Sequence, residues 1–151
     1  MSTSSIVEFK ANGERVQVYV HHDGYPDYMI PLLKEFLKWN HARNDDASYT
    51  AANFIYWYKR MALKRAREMM RETFKAKGYL LQIEQTGVGI LPLMSLKKMY
   101  SSYIEYFYKV YLTEIVSDPP DCEAGYESII HSHNLNQSCN ATDYDRVVVH
   151  T

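Results

Sequence analysis

An α+β fold is the class this sequence predicts: an N-terminal β-hairpin, two helices of which the second is long and basic, then a mainly antiparallel sheet completed by C-terminal strands. Three observations lead there. Residues 6–20, IVEFK-ANGE-RVQVYV, alternate apolar and polar on both sides of Asn12-Gly13, a pair that supplies the positive backbone dihedrals of a tight hairpin turn. From Asp27 to Gly78 the apolar residues recur at helical spacing instead. The segments 79–85, 103–112 and 126–133 then return to aromatic and β-branched residues, the composition of strands. Strands, helices and strands in that order give α+β.

In the hairpin's second strand Val16, Val18 and Val20 share one face and Gln17, Tyr19 and His21 the other, so continued alternation sends His22 toward the core. Asp27 is the predicted cap of the first helix, whose Leu32, Leu33, Phe36 and Leu37 face inward, and Pro31 fits near its first turn. The polar link HARNDDAS brings Ser48 as the cap of the second helix, which carries Ala51, Phe54, Ile55, Tyr58, Met61, Ala62, Met69 and Phe74 on one stripe and stops at Lys77-Gly78. A short helical stretch is expected near Leu93 to Met99. In the strand at 103–112, Ile104, Tyr106, Tyr108, Val110 and Leu112 make one face and Tyr103, Glu105, Phe107, Lys109 and Tyr111 the other, the pattern of a sheet covered on one side. Residues 134–145, NLNQSCNATDYD, have little apolar surface to bury and read as a mobile loop before a late edge strand, RVVVH.

The length of 151 residues predicts a single domain over 1–151, burying roughly two-thirds of the surface the unfolded chain exposes. With 17 basic and 18 acidic side chains, the overall balance favours neither nucleic acid nor membrane, and any electrostatic argument must be local. There is no run of about 18 apolar residues, and MSTSSIVEFK has neither a basic nor an apolar leader region, so a cytoplasmic protein with no membrane partner is expected. Cys122 and Cys139 are too few for a disulfide framework and are expected as free thiols. The chain lacks GxGxxG after a strand, GxxxxGK[ST], GxSxG and HExxH, which sets aside the enzyme classes those motifs mark.

Three places could carry chemistry. HHDGYP, residues 21–26, puts two imidazoles at a strand end, before a helix whose first amides are free to meet an anion. Its bland alternative is an ordinary turn, since Asp-Gly and Tyr-Pro are turn formers. The second helix has eight basic residues from Lys59 to Lys77, among them Arg60, Arg65 and Arg67, either a phosphate stripe or a solvated face. His131 and His133, two apart in a strand, project from one face and are the candidate ligands should a divalent metal be held; otherwise no cofactor is expected.

The string HHDGYP after a short hairpin, followed by LLKEFLKWN and YTAANFIYW, resembles a group of small proteins of bacteriophages, archaeal viruses and prokaryotic mobile elements, in which His-x-Asp-Gly-Tyr-Pro follows a strand. The likeness covers roughly residues 5–60. That group has no established activity, so the resemblance implies a setting, a viral or mobile-element accessory protein acting on a host component, with His21, Asp23, Gly24, Tyr25 and Pro26 as motif positions and no role for any of them.

Together these give a binding protein for a nucleotide-like or other phosphate-bearing small molecule, used to engage the host and counter its defences, with His21, His22, Asp23, Gly24, Tyr25, Tyr28, Arg60 and Arg67 as ligand-binding residues. A histidine- or metal-dependent hydrolase or nuclease is the alternative, with His21 or His22 as general base and Asp23 orienting it. An interaction module for a host protein is a third. The tyrosine-rich strand at 103–112, left unpaired, would also favour a homo-oligomer.

Overall fold

The computed structural model describes residues 3–69, 82, 84–115, 126–137, 140 and 142–150. β1 (Ser5–Ala11) and β2 (Glu14–Val20) form the expected hairpin, turning at Asn12 and Gly13 with φ of 50° and 79°. Helix α1 (Pro26–Trp39) and, after a 3₁₀ turn at His41–Arg43, helix α2 (Ala47–Met69) follow. Then come β3 (Val88–Leu91), the short α3 (Leu96–Tyr100), β4 (Tyr106–Ile115), β5 (Tyr126–Asn134) and β6 (Asp145–His150). The six strands make one sheet in the order β3-β2-β1-β4-β5-β6, in which β1 with β4 is the parallel pairing and the other four are antiparallel. This is the α+β architecture the sequence predicts.

α1 and α2 cover one face of that sheet. Val7, Phe9, Val18, Val20, Tyr108, Val110, Leu112, Ile130 and Val149 point toward them and are buried against Met29, Leu32, Leu33, Phe36 and Leu37 of α1 and Ala51, Phe54 and Trp57 of α2. Phe9, Phe36 and Phe54 meet at ring-centroid distances of 5.1–5.9 Å in tilted or edge-on arrangements, the geometry the aromatic quadrupole favours. The turn between the helices is pinned by a buried amide network, in which Asn40 Nδ2 donates to Asn44 Oδ1 at 2.9 Å and Thr50 Oγ1 at 3.0 Å, and Asn44 Nδ2 to the Leu37 carbonyl at 2.9 Å.

Several local expectations are corrected. α1 begins at Pro26, whose fixed φ suits a first helical position, with Tyr25 as N-cap; Asp27 is an acidic first-turn residue and not the cap. Pro31 lies inside the helix beyond the first turn, at an exposed position, so the hydrogen bond it removes faces solvent. α2 is capped by Asp46, whose Oδ1 accepts from the Tyr49 amide at 2.8 Å, and not by Ser48. The predicted strand at 79–85 is helical wherever it is described, at Gln82, Glu84 and Gln85; its other residues, like the predicted helix stop at Lys77-Gly78, lie outside the described residues. β4 is flanked by β1 and β5 and is no free edge, which removes the argument for a homo-oligomer. Of residues 134–145, Asn134 belongs to β5 and Leu135 is buried. Among the described residues no helix is long and apolar enough to cross a membrane.

Candidate functional site

The HHDGYP turn leaves β2 at Val20, and positive φ at Asp23 (55°) breaks the alternation there. His22 therefore does not turn toward the core: both histidines are exposed, with ring centroids 4.4 Å apart. The His21 amide donates to the Gly87 carbonyl at 2.9 Å, and its Nδ1 shares a 2.6 Å hydrogen bond with the Tyr19 hydroxyl. Gly24 is buried for a steric reason. Its amide donates to the Thr3 carbonyl at 2.8 Å, its carbonyl accepts from the Tyr108 hydroxyl at 2.6 Å, and a Cβ there would lie 2.7 Å from Ser5 Cβ. Burial, then the neighbouring Tyr106 and Asp27, hold that Tyr108 hydroxyl well above the usual phenol range, so it stays a donor.

Tyr25 is exposed, and its ring lies 6.0 Å from that of Tyr28. Tyr28 in turn takes the Arg65 guanidinium on its hydroxyl and over its face. Tyr58 belongs to the same group: burial first, then Tyr28 and Asp23, push its hydroxyl up, with Arg65 opposing. Arg60 and Arg67 do not join them. They sit about half a turn around α2 from Tyr58 and Arg65, lining a different cavity of about 550 Å³ with Trp39, Trp57, Met61, Lys64 and Glu68. The basic stripe thus divides between two sides of the helix; Arg71, Lys75 and Lys77 lie outside the described residues, as do Cys122 and Cys139.

A more convergent group lies on the sheet face away from α1 and α2. Strand register places Gln17 beside Glu8, Glu8 beside Lys109, Lys109 beside His131 and His131 beside Arg146. Because neighbouring strands are about 4.8 Å apart, five polar side chains from five strands form one row roughly 19 Å long. Glu8 is only 2% exposed; Gln17 Nε2 donates to its Oε1 at 3.0 Å, and Arg15 and Lys109 approach its carboxylate at 3.7 and 3.9 Å. Its Oε2 has no hydrogen-bond partner among the described residues, nor has the buried Nδ1 of His133. Glu8, Arg15, Lys109, Tyr111, His131, His133 and Tyr144 line one cavity of about 270 Å³, with Met94, Leu96 and Phe107 as its apolar wall.

The wall is fixed by the rest of the face. Gln17 clamps the segment before α3, donating to the Met94 carbonyl at 2.9 Å and accepting from the Met94 amide at 2.8 Å, and Met99 of α3 packs on Ile104, Phe107, Ile6 and Leu135. The His131 ring is stacked on Tyr144 at 4.0 Å and meets the edge of Tyr111 at 4.8 Å. Burial, then Arg146 and Lys109, lower the pKa of His131; burial, then His131 and Lys109, lower that of His133, with Asp143 opposing. Both imidazoles are therefore neutral near pH 7 and able to accept a proton. Side by side on β5, they are as the sequence places them, yet among the described residues no group of three or more His, Cys, Asp or Glu is arranged to hold a metal ion.

Sequence reasoning missed Glu8, Arg15, Lys109, Tyr111, Tyr144 and Arg146 as site residues. The one signal available was a charged residue at the centre of each of two strands, Glu8 and Lys109, where a half-covered sheet also carries ordinary solvent-facing charge. Comparison with family models, with curated proteins and with solved structures gives no match for this chain.

Proposed function

We propose that the chain is a small binding protein for a phosphate-bearing, nucleotide-like ligand, and that the ligand lies on the open face of the sheet. The cross-strand row is the observation that carries this reading. Lys109, Arg146 and Arg15 outnumber the carboxylates of Glu8 and, beside His133, Asp143, and two neutral imidazoles add donors and acceptors without cancelling that excess. Tyr144 and Tyr111 offer flat surfaces to a ring, and Glu8 Oε2 offers an acceptor to an amine on it. In the setting the resemblance implies, the ligand is a host component that a virus or mobile element captures.

A second reading places the ligand at HHDGYP, and the exposed, touching rings of His21 and His22 favour it. Calorimetric titration with a panel of nucleotides and short oligonucleotides separates the two. Lys109→Ala should weaken binding at least tenfold and reduce its salt dependence, while His21→Ala and Asp23→Ala bind as the parent does. The reverse pattern would move the site to the turn, and an absence of binding across the panel would reject both.

A further inference from the structure

We infer that the open face is a catalytic surface for single-stranded RNA, on which Glu8 and His131 act as general base and general acid across a phosphodiester held by Lys109. This rests on the phosphate-binding reading above and adds chemistry to it. The row is the starting point, because Glu8 and His131 are the two neighbours of Lys109, one on each side, in the register of β1, β4 and β5. A phosphate seated over the ammonium of Lys109 therefore has a carboxylate to one side and an imidazole to the other. In-line displacement at phosphorus asks for that arrangement, since the attacking and leaving oxygens lie on opposite sides of the phosphorus and each must exchange a proton.

The step balances with the groups present. Glu8 takes the proton of the ribose 2′-hydroxyl, O2′ forms a bond to phosphorus, the P–O5′ bond breaks, and His131, which the fold holds neutral near pH 7 and which must first take up a proton from water, gives that proton to O5′. The products are a 2′,3′-cyclic phosphate and a 5′-hydroxyl, and Glu8 and His131 recover their starting states by proton exchange with water. Lys109 and Arg15 face the non-bridging oxygens, whose charge grows in the transition state. Oε2 of Glu8, with Lys109 Nζ at 3.9 Å and no hydrogen-bond partner among the described residues, is an acceptor on a cavity wall, where such an oxygen is otherwise costly. RNA is the substrate class because it carries its own nucleophile, and because a row of roughly 19 Å exceeds what one nucleotide covers. Tyr144, 38% exposed beside the cavity, carries His131 stacked on one face and leaves the other to the bases, whatever their sequence.

The experiment incubates the full chain with a labelled single-stranded RNA of mixed sequence in the presence of EDTA, beside DNA of the same sequence and its fully 2′-O-methylated RNA. Mass spectrometry reads the product ends, and fluorescence anisotropy reads binding of the methylated strand. RNA alone should be cut, leaving cyclic phosphate ends. Glu8→Gln and His131→Gln should each slow cutting at least about 100-fold while binding the methylated strand within about threefold of the parent. Two variants keep the test intact should one misfold. Cutting of DNA or methylated RNA, or cutting unchanged in a folded variant, would overturn the assignment. Binding of the methylated strand that depends on Lys109, with no cutting of RNA, would overturn catalysis and leave the binding reading standing. Neither binding nor cutting would overturn both.

Discussion

The two faces of the sheet are made from alternate residues of the same strands and follow opposite rules. Beneath α1 and α2, neighbours such as Phe9, Val110 and Ile130 are apolar, wholly buried and interchangeable in kind; what matters there is volume and fit. One residue along each strand, Glu8, Lys109 and His131 are polar and held in place by one another, and an acceptor on Glu8 is left over. The first face explains why the chain folds, since burying an aromatic or aliphatic side chain contributes about 1.5–3 kcal/mol. The second does nothing comparable for stability, and its buried carboxylate is costly to desolvate. A chain that keeps such a group in its sheet gives up stability there, which is what the proposed site would explain.

The largest expected effect comes from cutting into the apolar face. Phe36→Ala removes a ring in contact with Phe9, Phe54 and Trp57, and should cost about 3–5 kcal/mol in urea unfolding. A loss below about 1 kcal/mol would mean that this face is not the cooperative core. The HHDGYP turn should follow at a smaller scale. Gly24→Ala sets a methyl 2.7 Å from Ser5 and the Thr3 carbonyl, and should cost about 1–3 kcal/mol, whereas His21→Ala at an exposed position should change stability by less than about 0.5 kcal/mol. Equal effects at the two positions would contradict a turn in which glycine packs and histidine does not.

The contrast between the faces also explains what the sequence could disclose. Alternation and the Asn12-Gly13 pair are local signals, so the hairpin and the inward faces of β2, β4 and α1 were readable, except that Ile104 precedes β4 and packs with Phe107 on the opposite face. Both caps were misplaced by two residues because Asp27 and Ser48 lie close to better-placed neighbours, Tyr25 with Pro26 and Asp46, and only backbone geometry chooses among them. The segment YLLQIEQ failed differently: its apolar residues fit either period, and Gln82, Glu84 and Gln85 take the helical one. The open-face site could not be read at all. Glu8, Lys109 and His131 come from strands far apart in the chain, and their adjacency depends on register across a parallel pairing of β1 with β4, which no local pattern encodes. His131 and His133 were visible because they share one strand. HHDGYP drew attention through unusual composition, and part of that composition serves the close approach of Gly24 to β1.

Glu8→Gln sharpens the contrast from the polar side. The amide keeps the shape and the hydrogen bond to Gln17 while removing a buried charge, so stability should stay within about 1 kcal/mol of the parent even as ligand binding or turnover changes. A loss of several kcal/mol would make the Glu8, Arg15 and Lys109 cluster a structural ion pair and would weaken the case for a site.

The smallest effect is a pH dependence, and its sign follows from the imidazoles. His131 and His133 both have lowered pKa values in the folded chain, His131 through burial, Arg146 and Lys109, and His133 through burial, His131 and Lys109, with Asp143 the opposing charge on His133. Above about pH 6.5, the ordinary histidine value, both rings are neutral whether the chain is folded or not, and they contribute no pH dependence. As the pH falls below about 6.5, the unfolded chain binds protons that the folded chain still refuses, so stability declines until the folded rings themselves titrate. The melting temperature should therefore drop between pH 6.5 and 5, and the double variant His131→Gln, His133→Gln should lose part of that drop while keeping the carboxylate-driven decline at lower pH. The apolar face has no such term, since residues like Phe36 do not titrate. A variant whose slope matched the parent's throughout would show that the two imidazoles are not held neutral by the fold.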